Sequence, residues 1–465
     1  MSRFNSSRTG TATVNLAGGK AYKQTDKLEL VSTLLTTFVQ DSFYRSGNNT
    51  QKTIQNLVNS IQDKEFVAKT AIFARDTFNM RTGSHIVAGE IANLVHGETW
   101  LKNFYNKVIV RPDDMLEILS YIKSNNYKIP NSLKKGFALA LQDFSEYEVA
   151  KYKKTSKKLS LVDVVNLVHP KPTEALTKLV KGTLEAPETW EVLITQAGSD
   201  LSKKKEAWKK LVLERKLGYM ALIRNLRNIL EFAPETIDEV CNQLTNATKI
   251  AKSRMLPFRF FTAISEIEKL SYDGVRKVIV ALSQALDISL ANVPKLEGKT
   301  LVVVDSSGSM CGKPATIASM FASILVKTNL DADLMAFADL ASYYNFNPLD
   351  TAMSIARGFN FVSGGTNFHS IFQKVNKAYD RIIILSDMQG WIGYNTPVQT
   401  FNQYKSNFNC NPKIYSWDLN NTGTMQFPEA NVFAIAGWSD KVFDIIKLLE
   451  SDKNALISEI EKVEL

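Results

Sequence analysis

The sequence predicts a chain in two parts, a front of stacked helices followed by an α/β domain with a doubly wound parallel sheet. Three observations carry that expectation. Apolar residues recur at three-to-four spacing from about Lys27 to Leu290, and strand alternation is nearly absent there. The stretch "ANVPKLEGKT", punctuated by Pro294 and Gly298, then interrupts the helical run. Beyond it the rhythm becomes strand–helix–strand, beginning with the continuous apolar run "TLVVVD" that suits a parallel sheet covered on both faces. A chain of 465 residues is too long for one ordinary core. The expected bounds are 1–290 for the helical part and 296–465 for the α/β part.

In the front part, "KLELVSTLLTTFVQDSFY" places Leu30, Leu34, Leu35, Phe38 and Val39 on one helical stripe. "NTQKTIQNLVNSI" follows, with Asn49 or Thr50 as its cap. "DKEFVAKTAIFARDTFN" sets Phe66, Val67, Thr70, Phe73 and Ala74 on one face. "GSHIVAGEIANLVHG", "PDDMLEILSYIKSNN", "NSLKKGFALALQDF" and "SLVDVVNLVHP" continue the pattern, as do "PETWEVLITQAG", "KKEAWKKLVLERK" and "GYMALIRNLRNIL". "PETIDEVCNQLTN", "LPFRFFTAISEIEKL" and "YDGVRKVIVALSQALDISL" complete it. Many short helices with polar turns, in pairs of about 40 residues, point to stacked helical hairpins of the HEAT kind. In the back part, strands are expected at "TLVVVD", "ADLMAFAD", "RIIILSD", "KIYSWDL" and "NVFAIAG". Helices lie between them, at "KPATIASMFASILVKTN", "TAMSIARGF", "FHSIFQKVNKAY" and "VQTFNQYKSNF", and "SDKVFDIIKLLES" follows the last.

Composition narrows the function classes. Hydrophobic residues at 45% and charged residues at 22% describe a globular chain. No apolar run of about 18 residues is present, so no membrane-spanning helix is expected. Cys241, Cys311 and Cys410 are few, odd in number and far apart. That argues against a disulfide framework or a zinc site and for a reducing, cytoplasmic setting. The first 24 residues carry Arg3, Arg8, Lys20 and Lys23 and no acid, as a transit peptide would, but show no amphipathic helix. They also lack the apolar stretch of a secretory signal. The net charge of +9 is unevenly spread: residues 1–290 hold 42 Lys and Arg against 30 Asp and Glu, residues 291–465 hold 14 against 17. A basic front and a mildly acidic back suggest different partners for the two parts.

Three features fall at predicted strand ends, where open α/β sheets bind their ligands. Asp305 ends "LVVVD", Asp387 ends "IIILSD", and Thr366 lies in the glycine-paired loop "SGGTN". The D-x-S-x-S spacing of Asp305, Ser307 and Ser309 lets one turn, made tight by Gly308, aim a carboxylate and two hydroxyls at one point. All five groups are hard oxygen donors, suited to Mg²⁺ and more loosely to Mn²⁺ or Ca²⁺, with room left for an outside acidic group or phosphate. A plain Ser/Gly turn after a strand is the bland alternative, and a phosphoaspartyl enzyme the catalytic one. Ser307 stands where such an enzyme usually has a second aspartate. No carboxylate pair is poised for general-base work, so no catalytic residue is assigned.

This constellation resembles the metal-ion-dependent adhesion site of von Willebrand factor A domains, over roughly residues 296–465. In that family the equivalents of Asp305, Ser307, Ser309, Thr366 and Asp387 hold the ion. Taken with it, "NLAGGKAY", "AIFARDTFNMRTGSHIVAGEI", "KYKKTSKKLSLVDVVNLVHPKP", "SGGTN" and "LSDMQ" are similar, in that order, to the TROVE module and C-terminal domain of Ro autoantigen proteins. The resemblance implies a ring of helical repeats closed by the von Willebrand-like domain. It implies small structured RNA, such as Y RNA, on a basic outer surface and single-stranded RNA ends in the hole. It also implies a role in RNA quality control, with an exoribonuclease as a further partner, and the N-terminal segment then belongs to the module; an acidic protein group is the further partner that the open coordination position would take.

The residues support RNA independently. Lys151, Lys153, Lys154, Lys157 and Lys158 cluster around Tyr152, and Lys203, Lys204, Lys205, Lys209 and Lys210 around Trp208. Lysines neutralise phosphates with little sequence preference, and aromatics beside them can stack on unpaired bases. Solvated helix faces are the alternative reading. The family motif adds His169 and Lys171 to the candidate RNA contacts, although residues 151–169 run one residue longer than in animal relatives. A helix C-terminal histidine satisfied by carbonyls is the plainer reading of His169. His85 reads as structural and Arg81 as a minor RNA candidate. The expectation is a monomeric, non-catalytic RNA-binding scaffold without a membrane partner. Its rivals are a metal-dependent protein–protein adaptor and a metal-dependent phosphate-ester hydrolase.

Overall fold

The computed structural model describes residues 11–23, 25–36, 47–152, 159–185, 189–361, 363–393, 396–420, 424–428, 432–436, 442–451 and 455–465. The chain forms two compact units. One comprises residues 1–187, 387–389 and 415–465, the other residues 188–386 and 390–414. Nine strands are described: β1 (Thr11–Val14), β2 (Lys20–Lys23), β3 (Thr300–Asp305), β4 (Ala332–Phe337), β5 (Ala341–Tyr343), β6 (Arg381–Ser386), β7 (Lys413–Asp418), β8 (Thr424–Met425) and β9 (Val432–Ala436).

The first unit is mostly helical. The helix Thr82–Leu94 packs against Gly47–Ser60, Lys64–Asp76 and Pro112–Ser124, and Leu101–Lys107 packs against Asn131–Asp143. Lys64–Asp76 begins at Asp63, whose carboxylate accepts from Phe66 N. It buries Phe66, Val67, Thr70, Phe73 and Ala74, the stripe that the spacing predicts. Gly136 permits a close crossing: a Cβ there would lie 2.6 Å from Lys102 O and 2.5 Å from Tyr105 Cβ. In this unit one expectation changes. Gly47–Ser60 starts earlier than the expected cap, so Asn49 and Thr50 lie within its first turn. The N-terminal segment forms an antiparallel hairpin, with Val14 opposite Lys20, and β2 pairs with β8 in register Tyr22 to Met425. Phe38 and Val39 lie outside the described residues.

In the second unit, Val275–Ser289 packs on Ile237–Leu244, Ala247–Ser253 and Phe258–Ile267. The stretch "GYMALIRNLRNIL" forms two helices, Tyr219–Arg224 and Leu226–Phe232. They meet at buried Asn225, whose side-chain amide donates to Ala221 O (2.9 Å) and so draws the chain out of one continuous helix. The sheet runs β5-β4-β3-β6 here, with β3 parallel to β4 and β6 and β5 antiparallel to β4, which makes it mixed. Every residue of β3 and β6 is buried, as their unbroken apolar runs require. The helix Lys313–Thr328 packs on β3 and β4. Among the described residues, no helix is long and apolar enough to cross a membrane.

Candidate cation site and nucleic-acid interface

The carboxyl end of β3 carries the D-x-S-x-S turn. Asp305 is fully buried; its Oδ1 accepts from Ser307 N (2.9 Å) and its Oδ2 from Ser386 Oγ (2.5 Å). Ser307 Oγ and Ser309 Oγ lie 3.3 Å apart on the same turn. The "SGGTN" loop is tied to that turn through the backbone: Gly308 N donates to Gly364 O (3.0 Å) and Ser363 N to Ser306 O (3.3 Å). Thr366, also buried, thus comes to the turn that holds the serines. Asp387 follows Ser386 directly in the chain; it is fully buried and its Oδ1 accepts from Gln389 N (3.1 Å).

Asp305, Ser307 and Ser309 on one turn, with the Thr366 loop tied to it, offer oxygen groups of the kind a hard divalent cation takes, and a buried carboxylate such as Asp305 is costly unless a cation or several donors offset it. Among the described residues no cluster of three His, Cys, Asp or Glu is placed to hold a metal, so a thiolate- or imidazole-rich site is not among the arrangements formed. The three cysteines are free thiols.

The RNA candidates divide into three groups. Lys153, Lys154, Lys157 and Lys158 lie outside the described residues. Lys151, His169 and Lys171 are exposed in the first unit. His169 ends the helix Leu161–Val168 in the left-handed conformation (φ 48°), with its N–H donating to Val165 O. Histidine is among the few residues that tolerate that region, and the strained position turns the chain into "PKP". In the second unit Lys203, Lys205 and Lys210 are exposed along the helix Leu201–Leu213. Trp208 is not available to a base: it is buried, its ring 5.9 Å from that of Trp190. The period-3.6 stripe turns Trp208 inward while Lys203, Lys205 and Lys210 face out. Tyr152 is half-buried, with the Arg111 guanidinium 4.3 Å above its ring.

One network is not legible in the spacing. Asp114, wholly buried, accepts at Oδ1 from Arg81 Nη2 (3.0 Å) and Nε (3.2 Å) and sits 2.9 Å from His85 Nε2. Its Oδ2 accepts from Arg75 Nη2 (2.8 Å) and Nε (3.1 Å), Arg111 N (2.9 Å) and Val110 N (3.1 Å). Asp113 binds Arg81 and Arg111, each at 2.8 Å. Burial alone would raise the Asp114 carboxyl; the hydrogen bond and charge of His85, with Arg75, outweigh it and hold the carboxyl well below the usual range. His85 is therefore structural. Arg81, 32% exposed at its side chain, is held by two carboxylates and has little charge to spare for a phosphate.

Comparison with known proteins adds an independent line. The chain matches the TROVE domain over residues 19–181 and 177–305, and the Ro60 vWA domain over residues 299–449. It is 26% identical over 230 residues to the RNA-binding protein RO60 of Deinococcus radiodurans, covering 42% of each chain. It is 21% identical over 299 residues to telomerase protein component 1 of Mus musculus, covering 45% of this chain and 11% of that one. The matched regions thus span less than half the length of these relatives. The crystal structure of the Deinococcus radiodurans RO (RSR) protein superposes with a TM-score of 0.66 at 17% identity, over 94% of this chain and 99% of that one.

Proposed function

Because the chain belongs to the TROVE-domain family, with a Ro60-type von Willebrand factor A domain behind the TROVE region, we propose that it is a non-catalytic RNA-binding protein. Residues 1–290 would serve as the RNA-binding part and residues 296–465 as the cation-binding part. Lys151, His169 and Lys171, with the neighbouring lysines, would take a small structured RNA of the Y type. Single-stranded ends would enter the ring that the family resemblance implies. The observation that carries this reading is the exposure of Lys151, His169 and Lys171 within one short stretch of the basic front. The RNA-binding name of a relative supports it. Asp305, Ser307, Ser309, Thr366 and Asp387 would hold Mg²⁺, which when bound can accept an acidic side chain of a partner or a phosphate. An exoribonuclease is the partner class that RNA quality control would supply. Three free cysteines accord with a cytoplasmic setting.

The test is the affinity of the purified protein for a small structured RNA with a single-stranded tail, measured across KCl concentrations. Log affinity should fall linearly with log salt. Replacing Lys151 and Lys171 by Ala should make the slope shallower by about 0.7 for each single-strand phosphate no longer neutralised. A slope near zero would overturn the phosphate-binding reading. Native purifications free of RNA that retain a protein partner would favour an adaptor instead. Phosphate-ester hydrolysis abolished in Asp305→Ala but kept in Lys151→Ala would establish an enzyme.

A further inference from the structure

We propose that Asp339 is a third carboxylate of the cation site, a positioning residue that shapes the loop carrying Thr366 and adds negative charge beside it. The proposal rests on the reading of Asp305, Ser307, Ser309, Thr366 and Asp387 as cation ligands. The D-x-S-x-S pattern does not include Asp339, and it lies 34 residues beyond Asp305 in sequence.

The sheet brings it there. In the parallel pair β3–β4, Asp305 is the register partner of Phe337, the last residue of β4, so Asp339 stands in the bend two residues beyond that strand's end, next to the carboxyl end of β3. The turn after Asp305 is fixed to that strand end, since Ser306 N (2.8 Å) and Ser306 Oγ (3.0 Å) both donate to Phe337 O. The Thr366 loop is fixed to it as well. Asn367 N donates to Ala338 O (2.9 Å), and Asn367 Nδ2 to Asp339 O (2.9 Å). The Asp339 carboxylate closes the arrangement by accepting from Gly365 N (3.1 Å).

The paired glycines answer to this carboxylate. A Cβ on Gly364 would lie 2.3 Å from Asp339 Oδ2 and 3.1 Å from its Cγ. A Cβ on Gly365 would lie 2.9 Å from Asp339 Oδ1, 2.8 Å from Trp391 Cζ2 and 2.6 Å from Ile392 Cδ1. No positive φ is involved at either position, so close approach explains the two glycines. Trp391 and Ile392 clamp the other side, their N–H groups donating to Thr366 O at 3.3 and 3.4 Å. Thr366 is thus presented by a loop held between a carboxylate and a tryptophan. Asp339 is exposed, and among the described residues it forms no ion pair with an arginine or lysine. A divalent cation gains from a third negative group nearby even without a direct bond, as outer-shell carboxylates do at other metal sites.

The test is Mn²⁺ and Mg²⁺ titration of the full-length chain by isothermal calorimetry, comparing wild type, Asp339→Asn, Asp339→Ala and Asp305→Ala. Thermal melting without added cation serves as the folding control. Asn keeps an acceptor for Gly365 N and loses the charge; Ala loses both. The expected result is cation binding by wild type, none by Asp305→Ala, and about 10- to 100-fold weaker binding by Asp339→Ala. Asp339→Asn should fall between, which separates positioning from charge. Unchanged affinity in both Asp339 variants, with wild type binding and Asp305→Ala not, overturns this proposal alone. No binding by wild type overturns the cation reading and this proposal with it.

Discussion

The Asp114 network offers the sharpest test of how the first unit is held. Asp114→Asn keeps the shape of the side chain and removes its charge. Both carboxylate oxygens are in use: Oδ1 serves Arg81 and lies beside His85, and Oδ2 serves Arg75 and the amides of Val110 and Arg111. Whichever way the new amide turns, its NH₂ faces groups that are themselves donors. Removing one partner of a buried ion pair costs about 3–5 kcal/mol, and each buried donor left unmet costs about 1–3 kcal/mol. These losses overlap, so about 4 kcal/mol is the working figure. For a unit of this size that corresponds to a fall in Tm of roughly 8–16 °C. Differential scanning calorimetry at pH 7 on wild type and variant reads it directly. The pH dependence gives a second reading. The folded Asp114 carboxyl is depressed, so its stabilisation is complete above the unfolded value near 3.9 and is lost as pH falls below that towards the folded value. The gap between wild type and variant should narrow below about pH 4. A variant that melts within about 2 °C of wild type at pH 7, or a gap unchanged at pH 3, would refute the assignment.

Trp208→Ala should cost about 3–5 kcal/mol by cavity formation and appear in thermal melts. Trp208→Phe should leave RNA affinity within about twofold of wild type, because the ring is buried against Trp190. Ser160→Ala removes the cap of the helix that ends at His169, where Ser160 Oγ accepts from Asp163 N (3.3 Å) and Asp163 accepts from Ser160 N (2.7 Å). It should cost about 1 kcal/mol, seen as a fall of a few degrees in Tm.

Legibility in the sequence follows the range of the interactions. Lys64–Asp76 is readable because its buried stripe repeats within 13 residues and Asp63 caps it next door. The unbroken apolar runs of β3 and β6 likewise announce strands buried on both faces. The β1–β2 hairpin is not readable. Each strand has four residues, and β2 takes its other partner, β8, from about 400 residues away. Trp208 misleads for a different reason. Its lysine neighbours dominate the composition of the segment, while the side of the helix it occupies depends on Trp190, 18 residues earlier. The D-x-S-x-S turn lies within five residues and shows plainly, whereas Asp339 enters only through strand register.

Charge is where composition and structure differ most, and the difference bears on RNA. The excess of basic residues over 1–290 counts every arginine alike. Arg75 is buried on Asp114, Arg81 is divided between Asp113 and Asp114, and Arg111 is held by Asp113 while covering Tyr152. Lys178 is shared by Glu146 and Glu174, each at 2.9 Å. Such paired cations have already exchanged their counterions for carboxylates, so a phosphate approaching them must compete with those carboxylates. Lys171, by contrast, forms no ion pair among the described residues and stands exposed two positions after His169. Neutralising Lys171 should therefore lower the salt slope of RNA binding more than neutralising Lys178, although both are lysines of the same basic stretch. Equal slopes for the two variants would mean that net charge, and not the local pairing of each cation, sets the affinity.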